Sequence, residues 1–356
     1  MKLRIFTVLF VSALLGTTAS AQYKRTDLVS NQPGVAPTTD PRLVNAWGLV
    51  ALPTSPWWLS DNGTGFSTLY NGAGQQIQLF VTVPPAPARP AGTLGTPTGI
   101  VGNISTNATD FTVTGNGISG QSRFIFATLD GTISGWNPAV GGVSPTGDSH
   151  ATIAVDRSSA GAVYTGLAIA TNQTGQTFLY AADAGPNGRV DMFDGTFNLV
   201  KSFDDPAIPK KFTPYGIQTI NGQIWVTFAA VNKQGGFVDI FDTEGNLVKQ
   251  FAAQGPLHLP WGIALAPADF GPMSNAILIS NNIPKGRINA FNPETGEFLG
   301  PLRDANGKPI EVDHIWAMQF GQDAPANANG AHNQLFFTAG PNNYANGLFG
   351  VITVGP

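Results

Sequence analysis

The chain has no cysteine and only four histidines in 356 residues, and 11% of its residues are charged. Without cysteine there is no disulfide framework, thiolate nucleophile or thiolate metal centre, so stability must come from the apolar core. A formal net charge of -4 leaves no basic footprint for nucleic acid or for an anionic membrane surface. Gly-x-Ser-x-Gly, His-Glu-x-x-His and P-loop motifs are all missing, which removes the commonest signatures of hydrolases and nucleotide enzymes. Beyond the N-terminus no apolar run is long enough to cross a bilayer, so no membrane span is expected in the mature chain.

What is present in quantity is glycine (43) and proline (27), scattered between short runs rich in Val, Ile, Phe and Trp. That pattern predicts many strands joined by many turns. At the N-terminus Lys2 and Arg4 form a positive region, Ile5 to Leu15 an apolar one, and Ala19-Ser20-Ala21 a small-residue cleavage site. Residues 1–21 are therefore expected to be a secretory signal peptide, with residues 22–356 a single domain delivered to the periplasm or the medium.

An internal repeat organises that domain. Phe212 to Phe251 holds two apolar runs separated by Asn221-Gly222, then FVDIFD and NLVKQF separated by Thr243-Glu244-Gly245. Asn-Gly favours a two-residue hairpin turn, so the unit reads as four antiparallel strands. Related units run from Ala46 to Val83, Gly95 to Asp156, Ala162 to Phe203 and Leu259 to Leu302. The second is interrupted by Asn103 to Gln121, a polar insertion with the makings of its own hairpin. The last unit begins near His314 and ends one strand short, and Thr26 to Asn31 is a strand with nothing of its own to pair with. Pairing the two closes a ring, which removes the open sheet edges of the first and last blades. The expected fold is all-β, a six-bladed β-propeller of four-stranded antiparallel blades; seven blades would require further strands within the insertion. No feature calls for a second copy, so a monomer is expected.

Because strands alternate in direction, the start of every first strand and the end of every second strand lie on one face, around the central channel. Trp47, Tyr215, Trp261 and Trp316 precede the first-strand glycine, or Ala317 in the last unit, where the other two units carry Thr98 and Thr165. Such rings could stack on a ligand at the channel mouth or pack between blades. Asp61, Asn62, Asp130, Asp183, Asn281, Asn282, Asn342 and Asn343 end second strands on the same face. Oxygen ligands converging there would suit calcium, although Asp and Asn before glycine are also what turns favour. Of the histidines, His258 and His314 precede first strands, and His314, beside Asp313, is the candidate general base.

Pro214, Gly216, Ile217, Phe241, Asp242 and Gly245 carry a resemblance to the NHL-type propeller repeat, repeated by Pro260, Gly262 and Ile263. That resemblance implies an architecture shared by hydrolases, lyases and binding modules. Leu28 to Leu49, LVSNQPGVAPTTDPRLVNAWGL, resembles a family of uncharacterised exported bacterial proteins, some of which end in a PEP-CTERM sorting tail; this chain ends GLFGVITVGP instead. The gluconolactonase-type lactonases are similar in architecture, but their Asn before the first-strand glycine is absent from every blade. Two functions follow as expectations. One is an exported binding module holding a small molecule, glycan or protein at the channel mouth; the other is a metal-dependent lactone or ester hydrolase, or lyase, using the Asp and Asn side chains.

Overall fold

In the computed structural model the structure describes residues 22–186, 188–231 and 233–355. The signal peptide expected at residues 1–21 lies outside them. Six antiparallel sheets form a ring, each with its first strand at the centre. These innermost strands are Ala46–Val50, Pro97–Gly102, Tyr164–Thr171, Thr213–Ile220, Pro260–Leu265 and Ile315–Phe320, each contacting the next and the last contacting the first. The chain is thus a six-bladed β-propeller.

The ring is closed as the sequence predicted. Tyr23–Ser30 pairs antiparallel with Leu348–Val354 and supplies the outer strand of blade 6, over a longer stretch than Thr26 to Asn31. The insertion in blade 2 forms a small hairpin, Thr112–Gly115 with Ile118–Gln121, and adds no seventh blade. Asp148–His150 forms a separate short strand ahead of Thr152–Asp156. It pairs in parallel with the outer strand of blade 1, Gln76–Thr82, so a segment of blade 2 covers its neighbour's edge.

The core consists of six apolar clusters, one at each blade-to-blade interface. Innermost strands are buried on both sides, as in PTGIVG of blade 2, whereas outer strands such as Leu247–Ala253 are largely exposed. This explains why the inner runs are continuously apolar and only the rim alternates. Burial repeated at six interfaces supplies the stability that a chain without disulfides needs.

First-strand glycines set how close the blades approach. A Cβ on Gly48 would lie 2.4 Å from the Thr98 carbonyl oxygen, and one on Gly216 2.0 Å from that of Trp261. Pairing with the second strand also skips at this point, between Ala46 and Leu49, Pro214 and Ile217, Pro260 and Ile263, and Ile315 and Met318. The skipped residues are the aromatic and the glycine or alanine after it. Each bulge re-aims its aromatic ring towards the channel. Among the described residues no helix is long and apolar enough to cross a membrane.

Candidate functional site

The four aromatic residues singled out by the repeat meet on the channel axis. Trp47 stacks on Trp316 with ring centroids 3.6 Å apart, and Trp261 stands edge-on to both at 6.4 and 5.9 Å. Tyr215 packs 6.3 Å from Trp47 and 5.8 Å from Trp316, and Tyr344 joins from the far side at 5.7 Å from Trp316. The three indoles are only 7, 7 and 1% exposed, so the rings spend their faces on one another. The result is a plug: the channel below it holds only about 20 Å³.

Hydrogen bonds lock the plug. Trp316 Nε1 donates to Asn45 Oδ1 at 3.0 Å, and Trp261 Nε1 donates across the channel to the Thr165 carbonyl at 3.1 Å. Ser280 Oγ accepts from Gly262 N and donates to the Trp316 carbonyl, both at 2.8 Å. Thr338 repeats the arrangement, accepting from Ala317 N and donating to the Trp47 carbonyl. A second-strand hydroxyl thus satisfies the bulge of its own blade and ties it to the next. Burial, reinforced by Tyr344, pushes the Tyr215 phenol well above its ordinary pKa, and burial raises that of Tyr344 to about 12.

Asn62, Asp130, Asp183, Asn281 and Asn282 are each committed at their own blade boundary. Asn62 donates to the Pro97 carbonyl at 3.2 Å and Asn282 to the Ile315 carbonyl at 3.1 Å, each reaching the next first strand. Asn282 Oδ1 also accepts from the Tyr344 hydroxyl at 2.8 Å. Asn282→Ala leaves that hydroxyl and the Ile315 carbonyl short of a partner, and is expected to cost about 1 to 3 kcal/mol in thermal or urea denaturation. Asp183 accepts from Val163 N and Gly185 N, and Asn281 accepts from His258 N while donating to the Pro256 carbonyl. Asp130 pairs with Arg89. Asp61 is fully buried, and desolvation drives its carboxyl pKa well up despite Thr68, favouring the neutral acid. Among the described residues no three His, Cys, Asp or Glu side chains form a group able to hold a metal ion.

His314 adopts a left-handed backbone with φ 49°. Its Nδ1 lies 2.6 Å from Asp313 Oδ1, and its ring meets that of Tyr344 edge-on at 4.4 Å. Asp313 accepts from Asn342 N through its other oxygen. The imidazole is only 5% exposed, held beside the plug.

Open space on the plug face lies off the axis, at blade 5. A cleft of about 660 Å³ is walled by the crossover loop Gly255 to His258, the turn Ile283 to Arg287, Arg303 and Glu311. Buried Asn281 and Asn289 both donate to the Pro256 carbonyl, at 2.8 and 2.9 Å, and so fix one wall. Lys285, Arg287 and Arg303 face it against the single carboxylate of Glu311, which bonds Arg287 at 3.1 Å. His258 is half-buried there, and its side chain makes no hydrogen bond among the described residues. Sequence reasoning placed His258 and Asn281 on this face but missed the cations. Their signal was available: two of the chain's 18 Lys and Arg residues flank Gly286 in one second-to-third turn, and Arg303 opens the next crossover. At the opposite end of the channel, apolar hollows of about 340 and 310 Å³ share Gln218, Thr219, Gln319 and Gln322.

Fold and plug together define a six-bladed propeller with a sealed axis on one face. No family model matches the chain. It is 29% identical over 94% of its length to one uncharacterized protein of Acanthamoeba polyphaga mimivirus, covering 81% of that protein. A second uncharacterized mimivirus protein is 28% identical over 96% of the chain and is covered over 88%. These relatives are viral, which overturns the expected membership of an exported bacterial family with NHL-like repeats. The short LVSNQPGVAPTTDPRLVNAWGL opening was too local a signal to fix the lineage. Among solved structures, a streptogramin B lyase superposes with a TM-score of 0.52 at 12% identity, covering 94% of this chain and 98% of that one. Identity at that level shows a shared fold and no more.

Proposed function

We propose that this propeller is an exported binding module that takes a small anionic ligand, bearing a carboxylate or phosphate, in the blade 5 cleft of the plug face. The observation that carries the reading is the charge of that cleft, where Lys285, Arg287 and Arg303 face one acidic side chain in a chain of net charge -4. Its volume of about 660 Å³ falls in the range of small-molecule sites, roughly 300 to 1,000 Å³. Arg287 offers a planar fork suited to carboxylate or phosphate, and Lys285 a compact charge beside it. Half-buried His258 adds a ring nitrogen at the cleft wall. The aromatic plug, on this reading, is the rigid floor against which the surrounding loops are set, and export rests on the leader-like residues 1–21.

The test is calorimetric titration at low salt and at about 0.3 M salt, with inorganic phosphate, a sugar phosphate and a uronic acid. Binding in the micromolar to millimolar range, weakened by salt and lost in the Lys285→Ala, Arg287→Ala double variant, is the expected result. Absence of binding by all three probes, or binding that ignores the double variant, defeats the proposal.

A further inference from the structure

In blades 2, 3 and 5 a polar residue of the third strand, or of the turn leading to it, meets the crossover loop arriving from the blade before, and blade 4 can be compared with them. In blade 3 the third-strand acid is Asp191, fully buried. Arg157, from the crossover leading into that blade, brings its Nε within 3.3 Å of Asp191 Oδ2, and Arg189 adds a second contact at 2.8 Å. Tyr164 and Ser202 donate to the same carboxylate. In blade 2 the acid is Asp130, and again an arginine of the incoming crossover, Arg89, meets it. Blade 5 avoids charge by using Asn281 and Asn289.

Blade 4 breaks the pattern. Its third-strand acid, Asp239, occupies the register position of Asp191, each paired with the middle of its second strand, Val226 and Ala181 respectively. Asp239 is 0% exposed, and neither of its carboxylate oxygens has a hydrogen-bond partner among the described residues. The crossover into blade 4 carries a second acid in the place of the arginine, Asp205, itself buried and close enough for its charge to act on Asp239. The loop is built around Asp205, whose Oδ1 accepts from Ala207 N at 2.8 Å and whose carbonyl accepts from Ile208 N. Where blades 2 and 3 set guanidinium against carboxylate, blade 4 sets carboxylate against carboxylate.

Among the described residues Asp205 is the only charged group that acts on Asp239. Gln250 on the fourth strand is the register partner of Asp239, and blade 3 presents Val190, Met192 and Phe203 to this interface. The remaining charged residues of the loop, Asp204, Lys210 and Lys211, are exposed. Two carboxylates buried together cannot both be ionised without a positive partner, so something must stand where the arginine stands elsewhere.

We propose that Asp205 and Asp239 form a proton-binding site in which one shared proton takes the place of the arginine, latching the crossover loop 204–212 onto blade 4. The proton bridges the two carboxyl groups as an O–H donor from one to an oxygen of the other; its loss leaves two like charges in a dry site. Loop 204–212 runs directly into Thr213-Pro214-Tyr215, so release of the latch loosens the segment that delivers Tyr215 to the plug. In support, desolvation and then Asp205 raise the Asp239 carboxyl to about 7. The sign follows. A native-state acid with a raised pKa binds more protons folded than unfolded, so its contribution to stability falls as pH rises from the ordinary carboxyl value to about 7, and is constant above that.

The experiment measures melting temperature from about pH 5 to pH 8.5 in chelator, with hydrogen exchange of loop 204–212 at the two ends. Wild type is expected to lose stability towards pH 8.5 and to show lower protection in the loop there, measured against the intrinsic exchange rate at each pH. Asp205→Asn supplies an amide donor that does not titrate, so the pH slope shrinks and loop protection becomes equal at both ends. Asp205→Arg rebuilds the blade 3 pairing and melts above wild type at pH 8.5. Subtracting each variant from wild type removes other titrating groups in this range, such as surface His332, raised by Asp323 and Asp269. Should Asp205→Asn fail to fold, Asp239→Asn asks the same question. An unchanged slope in the variants overturns the proposal. So does a gain in wild-type melting temperature with added calcium at pH 8.5 that Asp205→Asn abolishes, since the occupant would then be a metal ion.

Discussion

Replacing Trp316 by alanine is expected to lower the stability of the folded chain by about 3 to 5 kcal/mol, the cost of emptying a large, fully packed aromatic position. Trp316 is 1% exposed and sits at the centre of the plug, stacked on Trp47 at 3.6 Å and flanked by Trp261, Tyr215 and Tyr344. Its indole N–H holds Asn45 Oδ1, so truncation also strips that amide of a partner. Neighbouring rings cannot close the gap, because each is fixed to a different blade. Tyr215→Ala, at a half-buried ring, is expected to cost less. Thermal denaturation with chemical denaturation as a second measure checks the order. If Trp316→Ala melts as wild type does, the rings are not a structural plug, and their role at a ligand-binding mouth has to be taken up again.

Gly216→Ala is the second substitution with a large expected effect. A single added methyl would lie 2.0 Å from the Trp261 carbonyl oxygen and 2.7 Å from its carbon, both backbone atoms of the next blade. Relief requires blades 4 and 5 to move apart along the whole interface, where Trp225, Ile240, Ile263 and Ile279 are packed. A loss of about 3 kcal/mol is expected, with poor soluble yield. The control is Gly166→Ala at the same repeat position. There the added carbon would first meet Ile217 Cγ2 at 3.1 Å, the end of a side chain that can shift, and the cost should stay near 1 kcal/mol. Equal behaviour of the two variants would show that inter-blade spacing does not depend on these glycines.

The two positions also mark where sequence reasoning carried. The repeat unit Phe212 to Phe251 identified an aromatic before a first-strand glycine, and from strand direction alone put those aromatics on one face. Strand alternation is a local property of short connections, so it survives without coordinates. What the repeat could not give is that Trp47, Tyr215, Trp261 and Trp316 meet ring to ring. Their meeting depends on how far four bulges turn their side chains and on the channel radius, which no single blade sets. For the same reason Asp61, Asp183, Asn281 and Asn282 read as a converging set, yet each found a partner, or burial, at its own blade boundary.

The cationic cleft was hidden for a related cause. Lys285 and Arg287 lie in a turn of blade 5, while Arg303 and Glu311 lie in the crossover that follows, and only the fold brings them around one space. The Asp205 and Asp239 pair was equally silent, since both residues look ordinary in the sequence, one in a loop and one on a strand.

By itself the sequence determined the class of fold, the number of blades and the closing of the ring by the N-terminal strand, because the unit of about forty residues follows from apolar periodicity and turn chemistry, and counting its copies leaves one strand spare at the start and one missing at the end. Only the tertiary structure decided that the axis is sealed by aromatic rings, that open charged space lies at blade 5, and that two acids face each other in blade 4. Those outcomes are set between blades, by distances summed around the ring, and a local pattern carries no record of them.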